Sequence, residues 1–177
     1  MHSILSTLLG PLRHGGKPAG VPATPIHRSP PTLHVTGQVL NQLCLSVADL
    51  QAMPGHDWVA RTSKAHMGHA QKTQTTGYRG VLLREIVLQA ALKCDDPKGW
   101  KRAYVVAHAN DGHSALFSWN ELLNTEVGDG VLVVYAQHNE PPTADTEQLF
   151  LVSRRDRHSG ARHVKRLNSI ELRTNSD

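Results

Sequence analysis

The chain has 177 residues, which suits one domain with a tail. Its formal charge is +4, but residues 32–174 carry 16 Lys and Arg against 14 Asp and Glu. This near-neutral part is not expected to bind nucleic acid. The two cysteines, Cys44 and Cys94, form neither a disulfide framework nor a zinc pattern. No apolar run approaches the ~18 residues of a membrane-spanning helix.

Residues 1–31 differ in composition from the rest of the chain. They contain six of the ten prolines and four of the fourteen glycines, and they show no periodic apolar pattern. We therefore predict a flexible N-terminal tail, with a domain over 32–174 and a short C-terminal tail at 175–177. The apolar stretch 4–9 lacks a basic start and a clear small-residue cleavage site, so it is not a convincing secretory signal.

The first half of the domain predicts strands and one short helix. Apolar and polar residues alternate over 33–39, and a returning strand is expected over 43–46. Ser46 can cap a helix over 47–53, which Pro54 and Gly55 end. A further strand is expected over 57–63, and the polar residues 64–77 read as a long loop.

The second half continues the pattern of short strands separated by short helices. Helical spacing covers 84–92, and a later helix over 119–123 has Ser118 as its N-cap, with Glu121 at the capping-box spacing. The continuous apolar run 131–136 indicates a buried central strand. The other predicted strands are 103–109, 114–118, 148–153 and 169–173, the last closing the sheet together with Val164. This order favours an α+β fold over a doubly wound sheet.

Four segments, taken in order, carry a resemblance to a known family. They are Val35-Thr36-Gly37-Gln38-Val39 running on to Leu50, Tyr78-Arg79-Gly80-Val81-Leu82-Leu83-Arg84-Glu85, Asn110-Asp111-Gly112-His113-Ser114-Ala115, and Gly160-Ala161-Arg162-His163-Val164-Lys165-Arg166-Leu167. Together they resemble the sulfite-oxidase-like family of molybdopterin-binding oxidoreductase domains over nearly all of 32–174. The second and fourth segments have Tyr78 and Arg166 where the family usually has Trp.

The resemblance implies a sulfite-oxidase-type molybdopterin-binding fold, with a mixed β-sheet, a barrel-like core and a few short helices. It also gives a role to the basic segment 154–166, where six cations are opposed only by Asp156. A charge run of this kind is usually a solvated face. The resemblance implies instead that Arg162, His163 and Lys165 contact a pterin or molybdopterin, because arginine can fork onto phosphate or ring acceptors.

In catalytic relatives a cysteine thiolate binds the molybdenum, and the corresponding position lies near Thr62 or Ser63, which the resemblance implies as candidate cofactor contacts. No cysteine occurs between Cys44 and Cys94. A hydroxyl is a poor substitute for a soft thiolate at neutral pH. We therefore expect a pterin cofactor with doubtful metal, and we assign no metal ligand.

The remaining candidate ligand contacts lie on two turns or loops. His66 and His69 are expected to line the pocket as hydrogen-bonding groups, and Arg61 ends a strand at the same mouth. At the hairpin tip Asp111 is a candidate acceptor for pterin N–H groups, while His113 lines the substrate side. The alternative to a ligand contact is a turn-forming role for Asp111 and an exposed surface charge for Arg61. Trp58, Trp100 and Trp119 are more often core or surface anchors than cofactor stackers.

Three functions follow from these observations. The first is a small bacterial protein that lacks the usual metal-ligating cysteine, binds a pterin as a sensor and regulates a signalling enzyme. The second is a molybdopterin-dependent oxidoreductase with unusual metal ligation and a redox partner. The third is an adaptor that keeps the fold without the ligand. The family resemblance favours a periplasmic location over a cytoplasmic one.

Overall fold

Two β-sheets form the framework of the computed structural model, which describes residues 32–66, 69–138, 148–158 and 160–175, with the backbone alone between 61 and 74. The predicted tail at 1–31 lies outside the described residues. The five-stranded sheet has the order β2-β1-β9-β5-β6, and the four-stranded sheet has the order β3-β4-β7-β8. The strands are β1 (Thr32–Gly37), β2 (Leu43–Ser46), β3 (His56–His66), β4 (His69–Leu82), β5 (Ala103–Ala109), β6 (Ser114–Ser118), β7 (Val131–His138), β8 (Phe150–Ser153) and β9 (Leu167–Thr174).

Short helices connect the strands. They are α1 (Val47–Ala52), α2 (Leu83–Ala90) and α3 (Trp119–Asn124), with 3-10 turns at Gly99–Arg102 and Gly128–Gly130. Ser46 and Asp49 form the capping box of α1. In α3 the Ser118 hydroxyl accepts from the Glu121 amide, as the sequence predicts. No helix in the described ranges is long and apolar enough to cross a membrane.

The main core lies between the inner faces of the two sheets. Strands of the five-stranded sheet contribute Leu33, Val105 and Ile170, and the four-stranded sheet contributes Val133 and Leu151, all fully buried. The apolar sides of the three helices pack into the same cluster. The mixed α+β class is therefore confirmed, with mostly strands and few short helices. The two sheets do not close into the expected barrel-like core.

The four-stranded sheet is apolar on both faces. Alternate residues of β7 enter different clusters: Val131 and Val133 face the main core, whereas Leu132 and Val134 face a second cluster on the outer side. Phe150 of β8 lies beside them. A strand buried on both faces reads as a continuous apolar run, and β7 is the buried, non-edge strand that its sequence predicts.

Two sequence expectations differ from the structure. The predicted loop over 64–77 is wrong, because most of this range pairs as the antiparallel β3–β4 ribbon. Such pairing satisfies backbone groups whatever the polarity of the side chains. The last strand does not close its sheet: β9 lies at the centre, parallel to β1 and antiparallel to β5.

A glycine marks the closest approach of β4 to β7. A Cβ on Gly80 would stand 2.2 Å from the Val133 carbonyl oxygen, which is backbone and cannot move aside. Gly80→Ala is therefore expected to lower the free energy of unfolding by ~1–3 kcal/mol in urea denaturation. Gly77→Ala is the control in the same strand, because its Cβ would meet nothing closer than 3.4 Å. Equal stabilities of the two variants would contradict this account of β4–β7 packing.

Candidate functional site

A cleft of about 450 Å³ opens on the side of the four-stranded sheet that faces away from the main core. β3 and β4 form one wall, and the end of β8 with the following loop forms the other. Its volume lies in the range of small-molecule sites, roughly 300–1,000 Å³. The lining residues are Trp58, Val59, Ala60, Tyr78, Val152, Ser153, Asp156, Gly160, Arg162 and His163.

Four aromatic rings lie in a row across this region, each in contact with the next. Trp58 stacks on Tyr78 with ring centroids 5.1 Å apart, and Tyr78 meets Phe150 edge-on at 5.4 Å. His163 then lies 5.6 Å from Phe150. Trp58 and Tyr78 are neighbours because they are directly paired across β3 and β4. Both rings are half-buried, so each leaves part of its surface to the cleft.

Arg162 braces the opposite wall. Its Nε donates to Asp156 Oδ2 at 2.9 Å, its Nη1 donates to Glu121 Oε1 at 2.8 Å, and its Nη2 donates to Asp156 Oδ1. The guanidinium also lies over the ring of the buried Phe117, 4.5 Å from its centroid. Arg162 thus ties the loop after β8 to helix α3. Two of its five N–H groups remain for another acceptor.

The charges in this brace are mutually stabilised. The pKa of Asp156 is lowered, first by the hydrogen bond from Arg162 and then by that from Ser153, against the opposing effect of burial. The pKa of Arg162 is raised by its bond to Asp156 and, to a lesser degree, by Glu121. Both groups are therefore ionised at neutral pH, and the wall carries a fixed pattern of charge.

His163 lines the cleft, and two other predicted contact residues, Lys165 and His113, lie close enough to affect its pKa. The pKa of His163 is lowered by burial, and the charges of Lys165 and His113 lower it further. At neutral pH His163 therefore presents a neutral imidazole, with one donor and one acceptor nitrogen. The β5–β6 turn that carries His113 is joined to the same loop, because the Asn110 amide donates to the Arg166 carbonyl at 3.1 Å.

The other predicted contact residues stand further from this arrangement. Asp111 is exposed, and its Oδ1 accepts from the His113 amide at 3.0 Å, as a turn-forming Asp does. The backbone of Arg61, Thr62 and Ser63 continues β3 beyond the cleft residue Ala60. The backbones of His66 and His69 pair at the ribbon end, about 20 Å along the strand from Ala60 at ~3.3 Å per residue. The side chains from 61 to 74 lie outside the described part, and these contacts stay predictions.

Neither cysteine lines the cleft. Cys44 is exposed on the edge strand β2 of the other sheet, and Cys94 lies after α2 in a separate cleft of about 520 Å³. Burial raises the pKa of the Cys94 thiol, and nearby Asp96 and Asp95 raise it further. In the described ranges no three His, Cys, Asp or Glu side chains are grouped so that they could hold a metal ion.

Sequence reasoning missed several residues of the cleft. Trp58 and Tyr78 face the cleft, although the sequence favours anchoring roles for tryptophans. The sequence marks Asp156 only as the one acidic residue in a basic run and Glu121 only as a helix-capping residue, whereas both accept hydrogen bonds from Arg162. The usable signal was the isolation of Asp156 among six cations, which favours an ion pair with one of them.

The comparisons with known proteins find a likeness in fold but no match in sequence. No family model matches the chain, and no curated protein matches it. Sixteen chains of solved structures resemble it in fold. One is the sulfane dehydrogenase SoxCD from Paracoccus pantotrophus, with a TM-score of 0.58 and 18% sequence identity. The match covers 83% of this chain but only 39% of the SoxCD chain. At this identity the likeness concerns the fold alone.

The Arg162 brace leads to a pH-dependent prediction. Asp156→Asn should reduce stability by ~1–3 kcal/mol at pH 7, because Arg162 loses its main charged partner. The folded pKa of Asp156 is lowered, so its stabilisation is present above the ordinary pKa of about 3.9 and is lost as the pH falls through the folded value. The difference from the wild type should therefore shrink below pH ~4 in urea titrations.

Asp96→Asn serves as the matched control, because the Asp96–Arg102 pair is about half exposed on both sides. Exposed pairs contribute little, so this variant should stay close to the wild type at every pH. A stability loss in Asp156→Asn that is independent of pH would contradict the charge-based role of Asp156.

Proposed function

We propose that this protein binds a pterin in the cleft between Trp58 and His163 and acts as a non-catalytic sensor that regulates a partner protein. The observation that carries the proposal is the aromatic wall opposite a charged, braced loop. A pterin is a flat bicyclic ring with hydrogen-bond donors and acceptors along one edge. A flat ring can stack on the wall while its edge meets the loop.

The described side chains fit such a ring in number and type. Asp156 has three donors on its oxygens, and a carboxylate offers about four acceptor positions, so one is left for a ligand N–H. Arg162 keeps two N–H groups for a ligand oxygen or ring nitrogen. His163 adds a neutral donor–acceptor pair at the same wall. The motif resemblance of residues 160–167 leads to the same loop.

The regulatory part of the proposal is supported by the absence of metal-ligating groups among the described residues of the cleft. Its lining contains no thiol and no group of three metal-ligating side chains. The described residues therefore do not fit a molybdenum-bearing centre of the family type, and we derive no reaction step from one. A protein that binds a redox-active ring without converting it is suited to report the state of that ring to a partner.

Calorimetry with a tetrahydropterin tests the binding proposal. The wild type should bind with a saturable signal, and Trp58→Ala should weaken binding roughly tenfold, about 1.4 kcal/mol, because one stacking face is lost. Trp100→Ala is the control, since Trp100 is 39% exposed on the 3-10 turn at Gly99–Arg102 and does not line the cleft. Absence of wild-type binding at high micromolar pterin would end the proposal.

A redox role is the second candidate, because the structural neighbour SoxCD is by its name a sulfane dehydrogenase. Metal analysis separates the two functions. Protein made in a host that synthesises molybdenum cofactor should copurify with a fluorescent pterin, detected after denaturation, and with far less than one molybdenum per chain. A content of one molybdenum per chain would contradict the sensor proposal and support an oxidoreductase whose metal is held by ligands other than cysteine.

A further inference from the structure

Three arginines converge on the 3-10 turn at Gly128–Gly130, and their charges are not balanced there. Arg84, near the N-terminus of α2, donates from Nη1 to Asp129 Oδ1. Arg154 donates from Nη2 to the Asp129 carbonyl at 2.8 Å, and its amide donates to the Gly130 carbonyl at 2.9 Å. The third cation is Arg155. The Asp129 carboxylate thus pairs with Arg84, its backbone carbonyl accepts from Arg154, and Arg155 packs against Gly130 of the same turn.

Arg155 is held close by the absence of a side chain at Gly130. A Cβ on Gly130 would lie 2.6 Å from Arg155 Cγ, so the aliphatic stem of Arg155 rests against the glycine backbone. Arg155 is exposed, and in the described part of the chain no carboxylate pairs with it. Asp156 follows Arg155 in the chain, but its carboxylate is bonded to Arg162 and Ser153. Glu126 lies just before the turn. It is exposed and pairs with none of the three arginines in the same part of the chain.

Within this cluster the Arg154 guanidinium is incompletely paired. The Nε of Arg154 is buried with no hydrogen-bond partner among the described residues. Burial lowers the pKa of Arg154, the charge of Arg155 lowers it further, and Asp129 compensates only in part. An anion placed among these cations would offset this repulsion.

We propose that Arg84, Arg154 and Arg155, gathered around the Gly128–Gly130 turn, form a binding site for a phosphate-type oxyanion, separate from the aromatic cleft. Planar guanidinium groups match the geometry of tetrahedral oxyanions better than a point charge does. Arg84 and Arg155 present the accessible donors, and Arg154 supplies charge behind them. None of the three lines the cleft. The anion is either free phosphate or a phosphate group on a partner peptide.

Thermal unfolding of the full chain in phosphate tests the site. At constant ionic strength set with chloride, phosphate should raise the wild-type midpoint along a saturating curve, by about 3–6 °C at tenfold excess over the dissociation constant. Arg155→Gln should lose most of this rise. Arg173→Gln, which removes an exposed arginine paired with Glu171 on β9, should keep it.

The controls make each outcome decisive. Arg155→Lys keeps the charge without the fork and should show an intermediate response, which also serves if Arg155→Gln folds poorly. A phosphoserine peptide that shifts the midpoint more than free phosphate identifies a partner phosphate, and an equal or smaller shift identifies free phosphate. A linear rise, or one shared equally by all variants, is a general salt effect and overturns the site. No pterin is present, so this result is independent of the cleft proposal.

Discussion

The structure depends on the burial of the four-stranded sheet on both faces. Its inner face and the five-stranded sheet enclose the main core, where Val131, Val133 and Leu151 are completely removed from water. Its outer face holds the second apolar cluster, on which Trp58 and Tyr78 rest. Because the same strands supply both clusters, the half-buried rings of the cleft wall rest on a buried apolar layer. A ligand on this wall would bind to a surface that is already formed.

The second organising feature is the Arg162 brace. The cations of the loop at 154–166 repel one another, but Arg162 is paired with two carboxylates, Asp156 and Glu121, and lies over the ring of Phe117. The brace fixes Asp156 at the cleft. Beside it, burial and the charges of Lys165 and His113 lower the pKa of His163, so its imidazole is neutral at pH 7. Arg162, which the sequence resemblance suggests as a ligand contact, therefore has a positioning role first. Any contact with a ligand uses its remaining N–H groups.

The cleft and the arginine cluster share the segment after β8 but differ in chemistry. The cleft combines ring faces with a compensated charge pair, which suits a flat, largely neutral molecule. The cluster at the Gly128–Gly130 turn combines the exposed Arg155 with the half-buried Arg84 and Arg154 around a single carboxylate, which suits an anion. One short segment of turns thus contributes to both surfaces: Arg154 and Arg155 lie at the Gly128–Gly130 turn, and Asp156, Arg162 and His163 line the cleft.

Local patterns in the sequence determined much of the fold. The limits of β5 and β6, the Ser46 and Ser118 caps and the buried strand β7 all follow from alternation, capping and apolar runs. These features depend on neighbours within a few residues, which is why the sequence contains them.

Only the tertiary structure decided the rest. The polar ribbon after Ala60 pairs across strands rather than looping, and β9 enters the middle of its sheet. The Glu121 carboxylate on α3 accepts a hydrogen bond from Arg162, 41 residues away, and Trp58 stacks on Tyr78 across the β3–β4 pair. Such contacts join distant segments, so their partners are set by the packing of whole elements and not by any local pattern. The family motifs marked the loop at 160–167, whereas the aromatic wall and the arginine cluster became visible only when the strands were assembled.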